Sequence, residues 1–291
     1  MRIAVATDSN SGITPSEAKE LGVYVVPMPF MIDEKEYLED ISLTQDEFYE
    51  KLAEGVDVVT SQPSPDTVIK FWEGLLKEYD EIVYIPMSSG LSSSCETAVM
   101  LAEEEFEGKV FVANNQRISV TQRQSVIDAL KLVENGYSGS EIRDILEKDK
   151  FNSTIYIMVG TLSYLKKGGR ITPAVYALGT LLKIKPILSI YGEKLDSFAN
   201  ARTVIHGKNT MINAIKNDMK NRLKSTDPKD FDLAIAYSHD REAALAFAEE
   251  VKKEFPDNNV FVAPLSLSVA CHIGPSSLAL AVTKKLDIKR K

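Results

Sequence analysis

The sequence predicts an α/β protein of two domains, an N-terminal one with a mostly parallel sheet flanked by helices and a C-terminal mixed α/β one. Three observations predict it. Short apolar runs alternate with helical segments along the first half of the chain, the pattern of a parallel sheet covered by helices. Several of these strands run into turns rich in Ser, Thr, Asn or Asp that open a helix. The 291 residues, 44% of them hydrophobic, suffice for two cores of ordinary size. The boundary is placed before the segment GRITP, giving domains 1–160 and 161–291.

Element by element, Ile3 to Ala6 reads as a strand that stops at Asp8, Ser9 and Asn10, and Thr14, Pro15 and Glu17 make a capping-box start for a helix. Val23 to Ile32 is apolar but carries Pro27 and Pro29, which suits an edge or bent strand. Thr44 and Glu47 repeat the capping box. Ser64 caps a helix with Pro65 at its first position, and Val68, Phe71, Trp72, Leu75, Leu76 and Tyr79 then recur at helical spacing, which assigns Trp72 to the core. Glu81 to Met87 reads as a buried strand, and SSGLSSS (88–94) as the turn into a helix bearing Ala98, Leu101 and Ala102. A strand at 110–113, helices near 119–134 and 139–148, and a strand from Thr154 to Val159 follow.

Pro173 lies just inside a further helix, and Pro186 to Tyr191 is a strand turned by GEKL (192–195) into Asp196 to Ala201. Met211, Ile212, Ile215 and Met219 form one stripe of a long helix. Phe231 to Tyr237 and Val260 to Ala263 are strands around a helix bearing Ala244, Phe247 and Val251. The basic end KKLDIKRK reads as a frayed, solvated terminus.

Acidic residues outnumber basic ones 42 to 34, a net charge of −8, which disfavours a nucleic-acid duplex or an anionic bilayer as the main partner. Cys95 and Cys271 are too few for a disulfide framework, and MRIAVATDS lacks the features of a signal peptide, so a cytoplasmic location is expected. Ile171 to Ile190 is long and apolar, but Lys183, Lys185 and Pro186 interrupt it; no transmembrane segment is expected.

The sequence spells no GxxxxGK[ST] or GxGxxG phosphate loop, no GxSxG elbow, no HExxH and no CxxC. Nucleotide cofactors and metals are therefore not expected. What it does carry is hydroxyl clusters, TSQPS (60–64) and SSGLSSS, beside helix starts at strand ends. There side-chain hydroxyls, unpaired N–H groups and the helix dipole suit an anion. The same hydroxyls also suit plain helix caps, and Ser64 is assigned to capping alone. In LKKGGRI the adjacent Gly168 and Gly169 permit a tight course that would aim Arg170 into a cleft. His272, in HIGP, suits either a core histidine or a ligand contact. A Cys271–His272 dyad is rejected because neighbours in an extended segment point to opposite faces. His206 and His239 read as surface residues.

Together TSQPS, SSGLS, LKKGGRI, KPIL (185–188) and HIGP, in this order and spacing, resemble the DegV family of bacterial fatty-acid-binding proteins over essentially the whole chain. The resemblance implies a long-chain fatty acid held in a cleft between the two domains, its tail in an apolar tunnel. Thr60 and Ser92 would bond the carboxylate, Arg170 and His272 would complete the network, and Ser61 and Ser93 would contribute as neighbours. It also implies a separate ATP-dependent fatty acid kinase that phosphorylates the presented carboxylate, with Arg202 of ANARTV as a candidate partner or phosphate contact. Contact with a membrane would be transient. Departures from the family pattern stand at Ser93 and Ser94, at Ser276 and Ser277, and in NNQRISVTQ (114–122), where only Ser119 of the usual set survives. Ala174, Val175, Ala177, Leu178, Leu181 and Leu182 are candidate tunnel walls. Two other readings of the same residues are a stand-alone hydrolase or phosphotransferase using Ser92 and His272, and a fatty-acid sensor acting on a protein partner.

Overall fold

The computed structural model describes residues 2–39, 41–172 and 184–288. A parallel sheet in the order β2-β1-β6-β7 is built from β1 (Ile3–Asp8), β2 (Tyr24–Val26), β6 (Glu81–Ile85) and β7 (Val110–Val112). Because alternate side chains point to opposite faces of a strand, its apolar residues divide into two cores. Ala4, Ala6, Ile82 and Tyr84 pack on α3 (Pro65–Leu75) and α4 (Ser94–Glu105). Val5, Val83 and Ile85 pack on α5 (Ser119–Glu134) and α6 (Gly139–Lys148), with α1 (Pro15–Leu21) alongside. Leu286 and Ile288 also pack there, so the terminal segment is anchored as far as the structure describes it rather than frayed.

The region read as one bent strand from Val23 to Ile32 is two strands in different sheets. β2 ends at Val26, and β3 (Pro29–Ile32) starts afresh with its proline at the first position, where no ladder N–H is lost. β3 lies between β4 (Lys35–Leu38) and β5 (Val58–Thr60) in a small antiparallel sheet absent from the sequence reading. α2 (Gln45–Ala53) covers it, opened by the Thr44–Glu47 capping box.

The second large sheet has six strands in the order β10-β9-β8-β13-β11-β12. They are β8 (Ser153–Met158), β9 (Lys185–Tyr191), β10 (Lys194–Ala201), β11 (Phe231–Tyr237), β12 (Val260–Pro264) and β13 (Leu278–Lys284). Only β11 and β12 run parallel, so the sheet is mixed, as expected. β8 precedes the expected boundary at 160/161 yet pairs in this sheet, which places the change of sheet before Ser153. β13 occupies an interior position and was not read from sequence.

One face of this sheet presents Leu233, Ile235, Leu278 and Leu280 to α8 (Val204–Asn217) and α9 (Arg241–Glu254). The other presents Ala234, Ala236, Ala279 and Ala281 toward the N-terminal half. Ala236 lies directly opposite Ala279, and Ala234 opposite Ala281. α7 (Ser163–Lys167) and α10 (Leu267–Ile273) complete the described helices around this face. The candidate tunnel residues between Ala174 and Leu182, and the helix expected at Pro173, lie outside the described residues.

Trp72 is fully buried and meets Tyr84 and Phe106 edge-on at ring-centroid distances of 5.5 and 5.6 Å. Trp72→Ala should therefore cost about 3–5 kcal/mol of unfolding free energy through the cavity it leaves. Urea unfolding followed by circular dichroism measures this, and a loss below ~1 kcal/mol would contradict the packing described.

Candidate functional site

A cavity of about 380 Å³ lies between the alanine face of the mixed sheet and the turns at the C-terminal ends of the parallel strands. That size is ordinary for a small-molecule site. Its wall is mostly apolar, including Met28, Met87, Ile155, Ile157, Ala236 and Ala279. The alanines leave room that leucines, as on the opposite face, would fill.

Thr60, Ser61, Ser92, Ser93, Arg170 and His272 all line this one cavity. Thr60 ends β5, and the backbone N–H of Ser61 donates to Pro29 O at 3.2 Å. α10 brings His272 to Thr60 because its apolar side, Leu267, Ala270 and Cys271, joins Phe30 and Phe48 in the core under the small sheet. His272 is thus helical, not extended. The Cys271 thiol is buried and pushed up to about 12 by desolvation, which leaves it a core side chain rather than a nucleophile.

His272 Nε2 lies 2.7 Å from Thr60 Oγ1, while its buried Nδ1 has no hydrogen-bond partner. The tautomer that avoids a buried, unpaired N–H carries the proton on Nε2. The ring then donates to Thr60, and the threonine hydroxyl keeps its own hydrogen for a ligand. Burial, followed by the nearby Arg170 guanidinium, lowers the imidazole to about 4, so the ring is neutral at ordinary pH. Gly168 packs against the ring so closely that a Cβ there would collide with Nδ1.

Ser92 Oγ accepts from Ser94 N at 3.2 Å, and Ser92 N donates to Ser88 O at 3.2 Å. Ser93 occupies the N-cap position of α4 but makes no side-chain capping bond, unlike Ser64, which accepts from Thr67 N at 3.1 Å. The capping role holds for Ser64 and is not taken up by the Ser93 hydroxyl. Arg170 donates from Nη1 to Gly168 O at 2.5 Å and from Nε to Leu91 O at 3.4 Å. Ser61, Ser93 and Arg170 are exposed, whereas Thr60, Ser92 and His272 are half-buried, so the polar end of the cavity is also its mouth. Glu193, in the β9–β10 turn, accepts from Gln116 Nε2 at 2.6 Å and Ser89 Oγ at 3.4 Å, which ties that turn to the segment before Ser92.

Arg202 is exposed between β10 and α8 and does not line the cavity. A Ser92–His272 pair is not formed, since Nε2 is bonded to Thr60 and nothing orients Nδ1. Asn10, Gln62, Ser119 and Ser268 also line the cavity and are not among the carboxylate contacts expected from sequence. Asn10 carried the same signal as the hydroxyl clusters, a polar turn at a strand end. Ser268 carried none. Among the described residues, no group of three or more His, Cys, Asp or Glu side chains is placed to hold a metal ion. No described helix is long and apolar enough to cross a membrane.

Fold and site together define an α/β protein with two large sheets and one small one, and an internal apolar cavity whose mouth is lined by hydroxyls, an imidazole and an arginine. The family model described as "Uncharacterised protein, DegV family" matches residues 2–285, and the chain belongs to the DegV family. It is similar to a DegV domain-containing protein from Halalkalibacterium halodurans, 30% identical over 285 residues, covering 96% of this chain and 98% of that one. Among solved structures it resembles a DegV family protein from Thermus thermophilus described for its fatty acid binding. That match has a TM-score of 0.88 and 30% identity, covering 98% of this chain and 100% of the other. It also resembles DegV of Bacillus subtilis, described as a fatty acid binding protein, at TM-score 0.86 and 26% identity, over 98% of this chain and 100% of that one.

The depressed imidazole makes a signed prediction. Between the ordinary histidine value of 6.5 and about 4, the unfolded chain binds a proton that the folded chain refuses. Stability is therefore lost as pH falls through that window, by roughly 3 kcal/mol in total from this residue. Urea unfolding at pH 7 and pH 4.5 should show a smaller acid loss in His272→Asn than in the wild type; equal losses would contradict the burial of the ring. Gly168→Ala should displace the imidazole from its buried position and so show the same reduced acid loss as His272→Asn in that urea titration.

Proposed function

We propose that this protein binds a long-chain fatty acid in the cavity and presents its carboxylate to a separate ATP-dependent fatty acid kinase, which forms the acyl phosphate. The observation that carries the reading is one cavity with an apolar body and a single mouth-side cluster of Thr60, Ser92, Arg170 and His272. The fatty acid binding described for the relatives from Thermus thermophilus and Bacillus subtilis supports the ligand class.

Magnitudes divide the labour between the two ends. A sixteen-carbon tail buries about 14 methylenes at roughly 0.8 kcal/mol each, on the order of 11 kcal/mol before ordering costs. The carboxylate gives up water at the mouth and needs two or three hydrogen bonds of about 1.5–3 kcal/mol to avoid a net penalty. Thr60 and Ser92 donate to it, Ser61 and Ser93 stand beside them, and Arg170 supplies the charge. The tail gives affinity and the mouth fixes orientation.

Delivery to a second protein is supported by the exposure of the mouth and by the weakness of the groups at hand as catalysts. His272 is a poor base with its Nε2 engaged, and the sequence spells no nucleotide loop. Arg202, exposed on the junction between β10 and α8, is the candidate contact for the kinase or the transferring phosphate. Uptake of the acid would need only transient membrane contact, and the expected setting is the cytoplasm.

The test is mass spectrometry of lipid extracted from the purified protein, followed by incubation with ATP and a bacterial fatty acid kinase. Stoichiometric fatty acid is expected, with retention lowered at least about tenfold in Arg170→Ala and Ser92→Ala. Acyl phosphate should form only with the kinase present. In Ala279→Leu the recovered acids should be shorter. A folded protein that carries no lipid and refuses added acid would remove the proposal.

A further inference from the structure

Besides the mouth cluster, three buried polar side chains, Ser119, Asn10 and Ser268, stand among the apolar ones of the cavity wall. Ser119, the first residue of α5, is 3% exposed and lines the cavity, yet its Oγ has no hydrogen-bond partner. Its chain neighbours Ile118 and Val120 belong to the same apolar cluster as Ile155, Ile157 and Ala279. Ser119 also adopts a φ of 54° and Gln116 one of 56°, left-handed values that cost a residue with a Cβ. The buried pair Arg117–Asp149, at 2.6 Å, holds the turn that imposes them. Asn10, 2% exposed, lines the same cavity. Its Oδ1 accepts from Ser268 Oγ at 2.5 Å, but its Nδ2 donates to the Met87 thioether at 2.9 Å, a weak acceptor.

Ser119 and Asn10 belong to adjacent elements. Asp8 Oδ1 accepts from Asn10 N at 3.0 Å and from Gln122 Nε2 at 3.1 Å, and Gln122 is one turn along α5 from Ser119. Methylenes satisfy neither a hydroxyl nor an amide, so a plain hydrocarbon tail leaves Ser119 uncompensated. The carboxylate is drawn instead to the mouth, where Arg170 supplies a cation.

We infer that Ser119 and Asn10 form a second polar station in the cavity, which takes an oxygen carried on the acyl chain and selects hydroxy- or oxo-substituted long-chain acids over their unsubstituted parents. The inference rests on the fatty-acid reading of the cavity given above. A chain hydroxyl accepts from Asn10 Nδ2 and donates to Ser119 Oγ; a chain carbonyl accepts from both. Sites with buried polar groups discriminate against analogues lacking the matching oxygen, because the groups are then left unpaired.

The test is calorimetric titration of the delipidated full chain with stearic acid and with hydroxystearic acids substituted at successive chain positions. Ser119→Gly serves as the variant because glycine accepts the positive φ without strain, and Ser119→Ala gives the same comparison should the glycine variant not fold. At least one positional isomer is expected to bind the wild type about tenfold tighter than stearic acid. The variant should lose that preference while its affinity for stearic acid changes less than about threefold. Equal affinity of the wild type for stearic acid and every isomer overturns the inference and leaves the fatty-acid reading standing. Binding of neither kind of acid overturns both. A variant that weakens all ligands alike assigns Ser119 to cavity shape and also overturns it.

Discussion

The buried carboxylate of Asp8 ties together the turns on which the cavity depends. It accepts from Met87 N at 2.8 Å, from Asn10 N at 3.0 Å and from Gln122 Nε2 at 3.1 Å, joining the ends of β1 and β6 to the start of α5. Thr7 Oγ1 adds a bond to Ile85 O at 2.7 Å between the same two strands. Burial raises the Asp8 carboxyl above the usual range, while these donors act in the opposite sense and lower it. Without such donors a group this deep would be costly, and with them three chain segments are held in one arrangement. The SSGLSSS turn follows directly from Met87, so the placement of Ser92 and Ser93 inherits this constraint.

The opposite wall is set by side-chain volume rather than by hydrogen bonds. β11 and β13 alternate large and small residues, and the small ones, Ala236 facing Ala279 and Ala234 facing Ala281, all fall on the side of the cavity. The same two strands thus build a dense core against α8 and α9 and an open space on their other side. A sheet can do both because its side-chain period is two.

Much of the fold was legible because it rests on local signals. The caps at Thr44 and Ser64, the alternation of strand and helix through residue 148, and the burial of Trp72 and Phe247 follow from short-range pattern. β13 was not legible for a physical reason. Interior to its sheet and buried on both faces, it reads as a continuous apolar run that periodicity does not distinguish from buried helix. The split between β2 and β3 depended on which sheet each half joins, which no local signal states. In the site, the hydroxyl clusters and Arg170 were visible as residue types at strand and helix ends. The meeting of Thr60 with His272 was not, since 212 positions separate them and the contact is made by α10 docking on Phe30 and Phe48. The resemblance to a family put both residues in one expected carboxylate network, but the direct bond between them was not expected.

The cavity also bears on how long the protein lasts. A space of about 380 Å³ inside the apolar cluster between the sheets means that the empty chain lacks packing contacts that a compact domain normally has. Whatever apolar molecule fills it acts as a missing piece of core, and at a hundredfold excess over its Kd it adds about 2.7 kcal/mol to the folding free energy. Filling the cavity therefore lowers the fraction of chains that are unfolded at any moment, and with it the access of proteases to the backbone. Occupancy and folding are thus coupled through packing density, so a substitution that fills the cavity with side chain would trade ligand capacity for intrinsic stability.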